Sequence, residues 1–154
     1  MALLKKGRAE SGSGPGHARV RMTPVKATIN SDFSAGFEVQ KRILDAAVKH
    51  GFKEQCLFAI KIALEEALVN AIKHGNKLDP RKRVTIEAAI SPKEAKISIE
   101  DEGAGFDRSQ VPDPLSEENL EKSSGRGILL IESYMSQVRW DHGGRRLRMV
   151  KQNN

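Results

Sequence analysis

The chain has 154 residues, of which 30% are charged and 38% are hydrophobic, and its formal net charge is +6. This length predicts one domain with its own core, and a single Trp and a single Tyr leave few side chains for stacking on nucleic acid. No apolar run reaches the length of a membrane span, no signal-peptide segment is recognised, and the lone Cys56 cannot form an internal disulfide, so we expect a cytoplasmic protein.

Residues 1–22 differ in composition from the rest of the chain. They contain five basic residues against one acidic residue, and they include the flexible sequence E-S-G-S-G-P-G. Residues 139–154 have the same balance, so the stretch 23–138 carries a net negative charge. We therefore expect a flexible basic arm at 1–22 and a single domain at 23–154. Basicity confined to the two ends favours a role in solubility over direct nucleic-acid binding.

The spacing of apolar residues predicts the elements of this domain in chain order. The expected elements are a strand at 25–29, helices at 34–50 and 53–74, strands at 83–90 and 95–101, a helix at 128–135, and strands at 137–141 and 146–151. The residues Asn30 to Asp32 supply N-cap candidates for the first helix, and Gly51 ends it. The polar stretch 107–124 is long for a plain loop, which is typical of a lid or a binding loop.

Three polar residues in the second predicted helix stand out because the helix is otherwise largely apolar. Glu66, Asn70 and His74 are four residues apart, so an α-helix places them in one row. Polar groups set into apolar surface cost stability unless they have partners. The row therefore indicates a binding site for a ligand and a metal ion.

Three segments then follow one another in a fixed order. They read E-A-L-V-N-A-I-K-H-G at 66–75, D-E-G-A-G-F at 101–106 and S-G-R-G-I-L-L-I at 124–131. Each segment alone is a weak sign of a nucleotide site, because such patterns also occur in ordinary helices and turns. The ordered set, with a long loop between the second and third segments, is far more specific.

This set resembles the ATP-binding fold of the gyrase, heat-shock chaperone, histidine kinase and mismatch-repair (GHKL) ATPase superfamily. Within it, residues 23–151 resemble the anti-sigma-factor serine/threonine kinases of the RsbW and SpoIIAB type. The resemblance implies an α+β fold, a two-layer α/β sandwich in which a mixed, mostly antiparallel sheet has helices on one face. It also implies ATP and Mg²⁺ as cofactors.

The resemblance further implies roles for the motif residues. Asn70 would bind Mg²⁺, and Glu66 would be the general base that takes the proton of the substrate hydroxyl. Asp101 would accept a hydrogen bond from the adenine amino group, next to glycines that let the backbone approach the base. The remaining candidate cofactor-binding residues are Lys73, His74, Gly103, Gly105, Gly125, Arg126 and Gly127, and the last three form a second glycine box near the phosphates.

Plainer roles stay open for several of these residues. Glu66 could pair with Lys73 or an arginine, and His74 could interact with the dipole at the end of its helix. Asp101 could form a turn, and Arg126 could face solvent. Two positions also depart from the family pattern. Arg145 follows Gly144 where relatives often have threonine, and Ser123 and Ser124 precede the second glycine box where some relatives have an arginine.

We expect an ATP-dependent serine/threonine protein kinase that phosphorylates an anti-sigma antagonist and sequesters a sigma factor. The resemblance also implies a homodimer. The alternatives are a non-catalytic module whose partner affinity responds to ATP, the detached catalytic domain of a histidine kinase, and a nucleic-acid binder.

Overall fold

The computed structural model describes residues 21–105 and 123–154. Most of the expected arm at 1–22 and most of the expected lid at 107–124 lie outside these residues. The described part has an α+β fold. Its strands are β1 (Thr23–Asn30), β2 (Arg83–Ile90), β3 (Glu94–Glu100), β4 (Gln137–Asp141) and β5 (Arg146–Gln152), and its α-helices are α1 (Phe33–Lys49), α2 (Glu54–Val69) and α3 (Ser123–Tyr134).

The strands form one sheet in the order β1-β2-β3-β5-β4. Every pairing between these described strands is antiparallel, so the sheet expected to be mixed and mostly antiparallel is antiparallel throughout. The register places Ile86 opposite Ile99 and Ile99 opposite Leu147, which aligns apolar side chains across three strands.

The core lies between the helices and one face of the sheet. On β2, buried residues such as Val84 and Ile86 alternate with exposed residues such as Thr85 and Glu87, because successive side chains of a strand point to opposite faces. The apolar sides of the three helices join the buried side of the sheet in a single hydrophobic cluster. The helices therefore form one layer and the sheet the other, as predicted.

The first helix begins and ends where the sequence predicts. The side chain of Asp32 accepts a hydrogen bond from the backbone N–H of Ser34 at 3.2 Å and thereby caps α1. Gly51 follows the helix with a φ of +79°, a left-handed conformation that favours glycine. No helix in the described ranges is both long enough and apolar enough to cross a membrane.

Two helix boundaries differ from the prediction. The helix predicted at 53–74 is α-helical only to Val69 and continues as a π-helix over Asn70–Gly75, which we call the π turn. The helix predicted at 128–135 begins at Ser123, so the glycines of the second box lie inside α3 and not before it. Glycine predicts a helix boundary here, but this local preference is weak, and glycine inside a helix costs only about 1 kcal/mol.

Candidate functional site

The first half of the candidate site lies between α2 and α3. Glu66 is near the end of α2, Asn70 begins the π turn, and Gly127 on α3 faces both side chains. A Cβ atom on Gly127 would lie 2.7 Å from Oε1 of Glu66 and 3.6 Å from Nδ2 of Asn70. The fold thus brings together three candidate residues that belong to two distant segments of the sequence.

The environment of Glu66 alters its acidity. Its side chain is half-buried, and burial raises its pKa; the negative charge of Glu65 raises the pKa further. A carboxylate with a raised pKa is a stronger proton acceptor than an ordinary one.

Two buried nitrogen atoms on the π turn have no hydrogen-bond partner within the described ranges. They are Nδ2 of Asn70 and Nε2 of His74. Burial lowers the pKa of His74, and the charges of Lys73 and Lys77 lower it further, which favours the neutral imidazole. Buried polar atoms without partners cost stability, so their occurrence here is typical of a site that a ligand completes.

The predicted row of three side chains runs from α2 into the π turn. Glu66 and Asn70 lie against the same glycine, as the four-residue spacing predicts. The π turn then takes more residues per turn than an α-helix, and it includes His74. The segment expected to be α-helical throughout is therefore a π-helix from Asn70 onwards.

The second half of the site surrounds Asp101, which follows β3. Oδ1 of Asp101 accepts a hydrogen bond from the N–H of Gly103 at 2.7 Å. A Cβ atom on Gly75 would overlap the Asp101 carboxylate, and one on Gly103 would overlap the carbonyl oxygen of Gly75. Gly75 ends the π turn that Asn70 begins, so this single turn joins the two halves of the site.

Opposing effects act on the Asp101 carboxyl group. Burial raises its pKa, and this effect exceeds the lowering by the Gly103 hydrogen bond and by the charge of Arg145. Glu100 raises the pKa and Lys82 lowers it to smaller extents. The carboxylate is thus held in a partly desolvated place, where a hydrogen bond to a ligand is stronger than in water.

Arg145 lies beside both Asp101 and Gly105. Gly105 has a φ of +83°, and a Cβ atom there would overlap the carbonyl oxygen of Gly143 and lie 3.4 Å from Cγ of Arg145. The backbone oxygen of Arg145 accepts a hydrogen bond from the N–H of Asp101, and its Nε donates to the oxygen of His142, each at 3.0 Å. Arg145 therefore lies beside the first glycine box.

The remaining candidate residues are less engaged. Lys73 is exposed, and within the described ranges it forms no ion pair with Glu66, so the pairing of these two residues is not observed. Arg126 is exposed on α3. Gly125 lies in the same helix.

One buried residue of this region was missed by the sequence analysis. Asn76 is 0% exposed and hydrogen-bonds to three separate segments of the chain. Its neighbours, with Pro80 close by, favour a solvent-exposed turn. The one sequence signal for burial is that Asn76 directly follows the glycine that ends the helix, and this pattern is too common to predict a buried side chain.

Comparison with known proteins identifies the family of this domain. Residues 37–151 match the family model of the histidine kinase-like ATPase domain. The chain is 40% identical over 82 residues to an anti-sigma F factor of Clostridium perfringens, covering 51% of this chain and 58% of that protein. It is 30% identical over 105 residues to the serine-protein kinase RsbW of Listeria monocytogenes, covering 63% of this chain and 67% of that protein.

A solved structure shows the same fold. It contains the RsbU and RsbW domains of a Mycobacterium tuberculosis protein, with a TM-score of 0.58 and 17% identity, and the match covers 86% of this chain and 32% of the other. The described part is thus a two-layer α+β domain of this type. Together with the match to the family model, this shows that the chain belongs to the histidine kinase-like ATPase domain family, as the sequence motifs predicted. The chain spans 58% of the length of the anti-sigma F factor relatives.

Proposed function

We propose that this protein is an ATP- and Mg²⁺-dependent serine/threonine kinase of the anti-sigma type. It would phosphorylate an anti-sigma antagonist and hold a sigma factor inactive. Membership of the ATPase domain family supports ATP as the cofactor. Relatives named anti-sigma F factor and serine-protein kinase RsbW support the choice of kinase class and of partners.

One observation carries this proposal: the π turn begins at Asn70, which lies with Glu66 of α2 against Gly127, and it ends at Gly75, which lies against Asp101. Such an arrangement suits an elongated ligand with a metal-bound polyphosphate at the first end and a base at the second. Glycine at Gly75, Gly103 and Gly127 lets these segments lie closer together than any Cβ atom would allow. The unpartnered nitrogens of Asn70 and His74 add polar groups that a nucleotide could satisfy.

The side chains available fit Mg²⁺ bound together with a nucleotide. In the described ranges no three His, Cys, Asp or Glu side chains cluster as a metal site of their own. Magnesium prefers oxygen ligands and retains several waters, so one carboxamide oxygen from Asn70 with phosphate oxygens would suffice. Lys73, Gly125 and Arg126 are further candidates for contact with the phosphates.

Glu66 would perform the proton transfer. When bound, MgATP supplies the phosphoryl group and the positive charge that offsets its transfer. Glu66 would accept the proton of the substrate Ser or Thr hydroxyl, a role that its raised pKa favours. Asp101 would orient the base by accepting a hydrogen bond, and Gly103 and Gly105 would let the backbone lie close to it.

The partners proposed are proteins. The sigma factor and the antagonist follow from the names of the relatives, and a homodimer is proposed on the resemblance to this kinase type. The antagonist would present its acceptor hydroxyl to Glu66. We propose no direct role for nucleic acid or membrane in this activity.

A second candidate function is a non-catalytic module in which ATP only changes the affinity for a partner. The observation that favours it is Arg145 beside the glycine box, where the family often has threonine. In this alternative the two halves of the site bind ATP, but Glu66 transfers no proton.

Incubation of the purified protein with γ-labelled ATP, Mg²⁺ and candidate antagonists separates the two functions. Label on a Ser or Thr of an antagonist is expected for the kinase. Nucleotide binding without any transfer, together with ATP-dependent capture of a sigma factor, would indicate the binding module. Absence of MgATP binding by the folded protein would contradict both.

A further inference from the structure

Both polar atoms of the Asn76 carboxamide group form hydrogen bonds. Nδ2 donates to Oγ of Ser31 and to the backbone oxygen of Arg83, each at 3.0 Å, and Oδ1 accepts from the backbone N–H of Glu102 at 2.8 Å. The residue is 0% exposed. A carboxamide offers two N–H donors and an acceptor oxygen. A carboxylate, a hydroxyl or an apolar group of this size lacks that combination.

These bonds tie three separate segments to one point. Ser31 follows β1, Arg83 begins β2, and Glu102 follows Asp101 in the turn after β3. Two further hydrogen bonds join these segments. The N–H of Arg83 donates to Oε1 of Glu102 at 2.7 Å, and Oγ of Ser31 donates to the backbone oxygen of Lys82 at 2.9 Å. The turn after β3 is therefore fixed to the start of β2 as well as to Asn76.

Asn76 is also joined to the π turn. Its N–H donates to the oxygen of Ala71 at 2.9 Å, and it directly follows Gly75, whose Cα faces the Asp101 carboxylate. One residue thus closes the turn that carries Asn70 and holds the neighbour of Asp101. The distance between the two halves of the site depends on this connection.

We propose that Asn76 is a positioning residue that sets the preference of the site for adenine by holding the Glu102 N–H, and with it the carboxylate of Asp101, against the π turn. This inference rests on the proposed function, because it concerns the nucleotide assigned to that site. Adenine has an amino group where guanine has a carbonyl oxygen, so a fixed carboxylate accepts from the first and repels the second. A carboxylate free to move would discriminate less.

The test compares MgATP, MgGTP and magnesium tripolyphosphate binding by calorimetry. In Asn76→Ala, we expect the ratio of ATP to GTP affinity to fall about tenfold, the effect of one hydrogen bond to a charged group. Tripolyphosphate lacks a base and should bind the Asn70 end within about twofold of the wild-type affinity. An equal loss for all three ligands would show a general structural role and overturn the proposal, as would an unchanged ratio.

Two further variants serve as controls. Asn76→Asp keeps the oxygen that accepts from Glu102, so it should keep most of the preference for ATP. Ser31→Ala removes a partner of Nδ2 but leaves the bond from the Glu102 N–H to Oδ1 in place, so it should leave the ratio unchanged. A preference lost equally in Asn76→Asp and Asn76→Ala would show that the bond to Glu102 is not the cause.

A measurement on the wild type covers the case in which Asn76→Ala does not fold. Hydrogen exchange should show the Glu102 amide as well protected as amides within the β2–β3 ladder; rapid exchange of that amide would contradict the proposal. A wild-type protein that binds none of the three ligands would contradict the proposed function and this inference together. Normal ATP preference in Asn76→Ala would contradict this inference alone.

Discussion

Gly127 of α3 faces Glu66 of α2 so closely that a Cβ atom on the glycine would lie 2.7 Å from Oε1 of the glutamate. Carbon and oxygen atoms that are not bonded do not approach this closely without displacement. The absence of a side chain on Gly127 is therefore what allows α3 to lie against the proposed catalytic carboxylate.

Gly127→Ala should reduce phosphotransfer about 10- to 100-fold without loss of stability. The added methyl group would push Glu66 from its place, and small displacements of a catalytic group can cost about a hundredfold in rate. Alanine in a helix is about 1 kcal/mol more favourable than glycine, so the melting temperature should be unchanged or higher. Gly36→Ala on α1 is the matched control, since its methyl group would make an ordinary contact 3.4 Å from Cδ1 of Ile72. Equal activity in the two variants would contradict the assigned contact.

Glu66→Gln should lower the rate of phosphotransfer about 10²- to 10⁴-fold, the usual contribution of a general base. The amide keeps the shape of the side chain but cannot take the proton, so MgATP affinity should stay close to wild type. Because the pKa of Glu66 is raised, the wild-type rate should increase with pH as this group loses its proton. The Glu66→Gln variant should lack this increase of the rate with pH. Rate measurements across pH test both statements, and an unchanged rate in the variant would remove Glu66 as the base.

Asp101→Asn should weaken MgATP binding about 10- to 100-fold, because it removes a charged acceptor from a half-buried place. The asparagine can still accept the hydrogen bond of the Gly103 N–H, so the turn should remain folded. Glu87→Gln, on the exposed face of the sheet, is a control with the same chemical change. Titration calorimetry gives the comparison. Equal affinities in the two variants would show that Asp101 does not contact the base.

Arg145→Ala should raise the pH below which the protein loses its affinity for ATP, which we call the acid limit of binding. The proposed function requires the carboxylate form of Asp101 for binding. Burial raises the pKa of this group, the Gly103 N–H, Arg145 and Lys82 lower it, and Glu100 raises it. Loss of the arginine charge raises this pKa further, so protonation and loss of affinity occur at a higher pH than in the wild type. The shift should shrink in high salt, because Arg145 is exposed.

Arg139→Ala is the control for this shift, since it removes the same charge from an exposed position on β4. Arg145→Lys should restore much of the wild-type profile. If the alanine variants at the two positions gave the same acid limit, the effect would come from net charge and not from the place of Arg145.

Leu68→Ala should lower the free energy of unfolding by about 2–5 kcal/mol, because the side chain is 1% exposed and the deletion leaves a cavity between α2 and its neighbours. Leu78→Ala makes the same chemical change at a residue that is 49% exposed, and it should cost far less. Urea denaturation of both variants measures the difference. Similar losses would contradict the position of α2 in the core.

Much of this architecture could be read from the amino acids alone. Alternation on the second and third strands, the cap at Asp32 and the glycine after α1 are local signals, and each depends on neighbours along the chain. The family was recognisable because three short motifs keep their order however the chain is folded. Glu66 and Asn70 were also predictable as a pair, since four residues make about one helical turn.

Only the tertiary structure decided how the motifs meet. The π turn, the start of α3 at Ser123 and the buried place of Asn76 all depend on contacts between segments that are distant in sequence. The local sequence changes the free energy of such features only by about 1 kcal/mol or less. Packing and buried hydrogen bonds between distant segments therefore override it. For this reason the chain's own pattern named the residues of the site, whereas the folded molecule set the distances between them.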